Sequence, residues 1–261
     1  MIAFTTLGSG HVLGCYLREA KYEFLRLART PSFVLPTLLF PALFYLLFGV
    51  VLARGNASGD AARYLLATYG VFGIMGASLF GFGVTIAIER ERGFLTLKRA
   101  LPMPPGAYLF AKLMMAMIFA AIISLMLAIL AATLGGVTLA PTQWLALFAI
   151  NIFGTIPFCA VGLWLGTLVS GSAAPALVNL LYLPMSFLSG LWLPLHLLPD
   201  FISRFAPLWP SYHLGQIALG VVGASTGMSP LIHAGVLLAT AIAFFSLALR
   251  RLDRAADAPG S

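Results

Sequence analysis

The chain has 261 residues, 61% of them hydrophobic and 9% charged, with a formal net charge of +7. Its mean hydropathy is +0.99, whereas a soluble domain averages roughly 45–50% apolar and about 25% charged residues, so the composition excludes a soluble globular protein and describes a polytopic membrane protein. The two cysteines, Cys15 and Cys159, lie before the first apolar run and inside a later one, which excludes a disulfide framework and a cysteine metal site.

The first thirty residues contain no basic segment followed by a short apolar one, so sorting falls to the first span rather than to a cleaved signal. Residues 11–29 read as an amphipathic helix. Leu13, Leu17, Ala20, Phe24 and Leu27 recur at steps of four and three, and Arg18, Glu19, Lys21, Glu23, Arg26 and Arg29 fall mostly off that stripe. A basic helix with an apolar face suits a membrane surface.

About 20 helical residues cross a hydrocarbon core of ~30 Å. By that measure the apolar runs 33–53, 65–88, 107–134, 143–169, 173–193 and 231–249 are six predicted spans. Phe40, Phe44 and Phe48 share a face of the first, which also holds Pro36 and Pro41. That face suits lipid contact or a wall for an apolar substrate. Gly70, Gly73 and Gly76 in the second run and Gly162 and Gly166 in the fourth suit close helix packing. In the fifth, Asn179, Tyr182, Ser186 and Ser189 follow at steps of three, four and three and line one face. They fit a pathway or subunit interface, and equally hydrogen bonding between helices of one bundle. Residues 194–230 carry five prolines with Trp209 and Tyr212 and are too broken to span; they read as a re-entrant or interfacial lid. Residues 255–261 read as a disordered tail.

Between the second and third runs stands Glu89-Arg90-Glu91-Arg92-Gly93-Phe94-Leu95-Thr96-Leu97-Lys98-Arg99-Ala100-Leu101-Pro102. Each charge would cost roughly 2.5–3.5 kcal/mol at the centre of a spanning helix, so this elbow belongs in water or among headgroups. Phe94, Leu97 and Leu101 recur at helical spacing and give a short helix one apolar face. Such a segment suits a handle on which a protein outside the membrane pushes. It also suits a solvated loop that only fixes topology. Six spans place both termini on one side. Twelve lysines and arginines, in the N-terminal helix, the elbow (with Lys112 just after it) and the tail, then fall on that side, against Arg54, Arg63 and Arg204 on the other. The positive-inside rule puts the termini and the elbow in the cytoplasm. The basic balance is thereby a matter of topology, and nucleic acid binding has no place.

The chain contains no G-x-x-x-x-G-K-[ST] loop and no H-E-x-x-H motif, and its histidines (His11, His196, His213, His233) are scattered. No Asp or Glu lies within the six predicted runs, which argues against ion-coupled transport. No catalytic set can be assembled. Energy for uphill movement is therefore expected from a separate protein, entering at the elbow.

These pieces resemble the ABC-2 type permeases, the membrane subunits of type V ABC exporters. The resemblance rests on the N-terminal amphipathic helix, the E-R-E-R-G-F-L-T-L-K-R-A-L-P elbow, the run S-G-L-W-L-P-L-H-L-L-P (Ser189–Pro199) and P-S-Y-H-L-G-Q (Pro210–Gln216), the last similar to bacterial drug- and antibiotic-export members. It covers nearly the whole chain and implies a single all-α transmembrane domain over 1–261, with 11–29 as connecting helix, 89–101 as cytoplasmic coupling helix and 194–230 as external lid. It implies a homodimer or a pair with a sister permease in the inner membrane, joined to separate ATPase subunits that hold ATP and Mg, with no cofactor in this chain. Glu89, Glu91, Arg92, Phe94, Leu97 and Leu101 would couple to the ATPase. Phe40, Phe44, Asn179, Tyr182 and Ser186 would face the path or the dimer seam. The expected activity is ATP-driven export of an amphiphilic or hydrophobic small molecule (drug, antibiotic or lipid-like) by alternating access. The competing expectations are a non-transporting scaffold and an ion-coupled carrier.

Overall fold

The structure, a computed structural model, describes residues 9–52, 60–94, 97–98, 104, 106–225 and 227–257. Among these, every regular element is helical. Helix α1 (Ser9–Ala28) leads, after a turn at Arg29–Thr30, into α2 (Pro31–Phe44), which continues as a wide π-helical stretch over Tyr45–Val51. Helix α3 (Asp60–Ser78) likewise widens over Leu79–Val84 before narrowing again into α4 (Thr85–Glu91). Then come α5 (Ala107–Thr133), α6 (Pro141–Phe153), α7 (Thr155–Gly166) and α8 (Ala174–Leu188). The lid holds α9 (Asp200–Phe205) and α10 (Pro210–Val221), and α11 (Pro230–Asp257) closes the chain.

Five described helical stretches are long and apolar enough to cross a membrane: Pro31–Val51, Asp60–Glu91, Ala107–Thr133, Pro141–Gly166 and Pro230–Leu252. The predicted fifth span is different. Helix α8 has 15 residues, about 22 Å at 1.5 Å per residue, short of a ~30 Å core. Its end has a local cause. Gly190 adopts φ 77°, and the Leu191 N–H bonds back to the Ser186 carbonyl at 3.1 Å, a Schellman stop. The Tyr64 hydroxyl donates to the Gly190 carbonyl at 2.8 Å and pins this turn to α3. The fourth span is present as the single stretch Pro141–Gly166, with a one-residue irregularity at Gly154, against which Leu214 of α10 packs so closely that a Cβ there would meet it at 2.6 Å. The helical end of α11 also reaches Asp257, into the segment expected as a disordered tail.

Helix α3 is the axis of the bundle: every residue from Leu65 through Leu79 is buried. Helices α2, α5, α8 and α10 pack around it and its π-helical continuation, and α11 lies along α7 and α10. The glycines permit this closeness. A Cβ on Gly83 would stand 2.8 Å from the Gly162 carbonyl oxygen, and one on Gly166 would stand 2.5 Å from that of Gly83, so the two helices meet backbone to backbone. The lid is less superficial than its prolines suggest. Ser211 through Gln216 of α10 are all buried, and the Ser211 hydroxyl donates to Ser189 Oγ at 2.9 Å.

Candidate functional site

Two places gather the residues singled out in the sequence: a charged hinge at the end of α4, and an aromatic cleft beside α3.

At the hinge, Glu89 is 3% exposed and Lys112 fully buried. Lys112 Nζ lies 2.7 Å from Glu23 Oε1 on α1 and 3.1 Å from Glu89 Oε1, and it donates to Thr85 Oγ1 at 2.9 Å. Arg26 pairs with Glu23 at 2.7 Å and with Glu89. Burial opposes the Arg26 charge, yet Glu23 and Glu89 outweigh it and hold the guanidinium above its ordinary pKa. The Tyr108 hydroxyl donates to Glu89 Oε2. Two carboxylates and two cations thus balance, and they tie α1, α4 and α5 together. The α5 contribution comes from one face, because Tyr108 and Lys112 are one turn apart. Lys98 extends the network to Glu19 of α1 and stands 4.7 Å above the Tyr108 ring.

The next two residues grip another element. Arg90 donates to the carbonyls of Thr167 and, at 2.7 Å, Val169. Glu91 Oε2 accepts the Gly171 N–H at 2.7 Å. The chain between α7 and α8 is therefore held by the end of α4. Beyond it, Gly93 at φ 73° turns the chain. Glu91 and Arg92 are exposed, and Phe94 and Leu97 are 42% and 59% exposed despite being apolar. These two border a cavity of about 320 Å³ shared with Glu19, Tyr22 and Lys98. Leu101 lies outside the described residues.

Glu89 is placed otherwise than expected for a residue facing a partner, since it points into its own chain and is covered there. The expectation that no Asp or Glu lies within the spans is also revised: the second helical stretch runs through Glu89 and Glu91. Glu23 and Lys112 were missed as site residues. The signal for Lys112 was a lone lysine early in an apolar run, shortly after the acid Glu89 that follows the preceding run; Glu23 carried none.

The second place is a cleft of about 400 Å³ between α2, α3 and α8. Phe40, Phe44, Asn179 and Tyr182, expected along a path, all line it, with Phe72, Phe80 and Trp192. Phe44 is the hub, its ring within 5.6–6.2 Å of Phe40, Phe48, Tyr69, Phe72 and Trp192. Tyr182 stacks on Phe72 at 5.0 Å and donates to its carbonyl at 3.2 Å. Gly76 makes room, since a Cβ there would stand 2.9 Å from the Tyr182 hydroxyl. Phe40 is 52% exposed, so one side of the cleft opens outward. Ser186 does not belong to it. It is fully buried, and its hydroxyl back-bonds to the Tyr182 carbonyl of its own helix.

Among the described residues, an all-helical bundle with five membrane-length apolar stretches defines a multi-pass membrane protein. Residues 17–223 match the ABC-2 type transporter family, and the chain belongs to that family. It is 28% identical over 207 residues to a protein named "Putative transport permease YvfS" from Bacillus subtilis (strain 168), covering 78% of this chain and 84% of that one.

Proposed function

We propose that this chain is the membrane-spanning subunit of an ATP-driven exporter. A separate ATPase, holding ATP and Mg, docks on the elbow. Glu91, Arg92, Phe94 and Leu97 meet it, and Glu89 and Arg90 fix the elbow to the bundle from within. ATP-driven closure moves the elbow; α1 and α5 follow through the charged hinge, and α8 through the grip of Arg90 and Glu91 on the preceding turn. The aromatic cleft borders the path, completed by a second copy or a sister permease. The cargo is an amphiphilic or hydrophobic small molecule, drug-, antibiotic- or lipid-like, carried outward across the inner membrane by alternating access.

One observation carries this reading: two large apolar side chains, Phe94 and Leu97, stand exposed on a polar elbow whose root is held by buried ion pairs. An exposed apolar pair on a rigid root suits a docked protein. The test is reconstitution of the purified chain in proteoliposomes, with and without an ABC ATPase subunit that co-purifies with it. Dye or drug movement that requires both the ATPase and ATP supports the reading. Movement driven by a proton or sodium gradient alone makes the chain a carrier. Purification without any ATPase, with no movement, makes it a scaffold.

A further inference from the structure

A third cavity, of about 310 Å³, lies between α3, α5 and α6 and shares no lining residue with the aromatic cleft. Leu66, Leu125, Ala128, Leu145 and Phe148 form its walls, and Ser124 and Asn151 supply its polar groups. Leu125 is 57% and Leu145 69% exposed, so the crevice opens on the outer surface of the bundle. Its volume falls at the lower end of the ~300–1,000 Å³ of ligand pockets.

Asn151 is 5% exposed. Its Nδ2 donates to Ser124 Oγ at 3.0 Å, while its Oδ1 is buried with no hydrogen-bond partner. Gly70 admits the amide, because a Cβ there would stand 2.8 Å from Asn151 Nδ2. Asn151 is ten residues from the start of α6 and Ser124 nine from the end of α5. At 1.5 Å per residue both lie about 14–15 Å inside the helix ends, near the middle of a ~30 Å core. In a hydrocarbon core a polar group without a hydrogen-bond partner is costly.

We propose that this crevice binds an apolar small molecule carrying one hydrogen-bond donor, a hydroxyl or an amide N–H. The donor bonds to Asn151 Oδ1, and the apolar body lies against Leu125, Leu145 and Phe148. Entry is lateral, from the bilayer. A plain acyl chain fills the walls but leaves the carbonyl unpaired, so the site prefers an alcohol over the matching hydrocarbon.

The test is photolabelling of the full chain in lipid nanodiscs with 3-azioctanol and, in parallel, with the diazirine of octane, followed by mass-spectrometric mapping. The alcohol is expected to label the crevice saturably and about fivefold more than the hydrocarbon, the contribution of one ordinary hydrogen bond. Asn151→Leu is expected to reduce alcohol labelling to the hydrocarbon level. Ala128→Phe, which fills the crevice and leaves the amide in place, is expected to reduce both; it also serves should Asn151→Leu fail to fold. Equal labelling by the two probes overturns the proposal and leaves a groove for lipid chains. So does an alcohol preference that survives Asn151→Leu, labelling indifferent to Ala128→Phe, or no label in the crevice.

Discussion

Lys112 is fully buried and answered by two carboxylates from different helices. Taking one partner from a buried ion pair leaves an uncompensated charge and costs about 3–5 kcal/mol, whereas replacing the pair by apolar groups is often close to neutral. Lys112→Met and Glu89→Gln are therefore each expected to lower the unfolding temperature of the purified chain. The double variant should lose less than the sum, by about 0.5–3 kcal/mol. Strict additivity in thermal unfolding would contradict the network. This network was only half legible in the sequence. Glu89 stood out, but Lys112 read as a topological charge and Glu23 as part of a solvated face, because spacing within one helix does not show what faces it from another. The aromatic cleft was more legible. The four-residue repeat of Phe40 and Phe44 and the Asn179–Tyr182 step each define a face, and the faces converge. Ser186 shares its face with Tyr182 yet is hidden, because its hydroxyl is satisfied by its own helix.

Among the elements, helix existence was readable from apolar length, but helix ends were not. The stop at Gly190 overrides the apolar residues that follow it, and the close approach of Leu214 to Gly154 comes from α10, a helix sixty residues away in sequence. The glycine contacts make a sharper prediction. Gly83→Ala places its Cβ 2.8 Å from a backbone carbonyl that has no rotamer to change. The helices must part, at about 1–3 kcal/mol. Gly14→Ala meets nothing within 4 Å in α1 and removes a helix-interior glycine, worth up to about 1 kcal/mol in the opposite direction. Thermal unfolding in one detergent should therefore move down for the first and level or up for the second. The reverse order would contradict the packing.

For the whole molecule, topology and energy entry are one question. With the elbow in the cytoplasm, Leu97→Cys in a Cys15→Ser background should resist a membrane-impermeant maleimide in intact cells and react in inverted vesicles; labelling in intact cells would reverse the orientation. The position of the elbow between two membrane-length helices was legible, since charge on a short segment between apolar runs has few places to go. What spacing left out is its root: Arg90 and Glu91 hold the turn before α8, which links the elbow to the helix carrying Asn179 and Tyr182. The most direct measurement is co-purification and ATP-driven transport of Phe94→Asp and Leu97→Asp with the ATPase. Both side chains are exposed, so the isolated variants should keep their stability within about 0.5 kcal/mol while ATPase capture and transport fall to background. Unchanged capture and transport would contradict the claim that a separate ATPase works on this chain through its elbow.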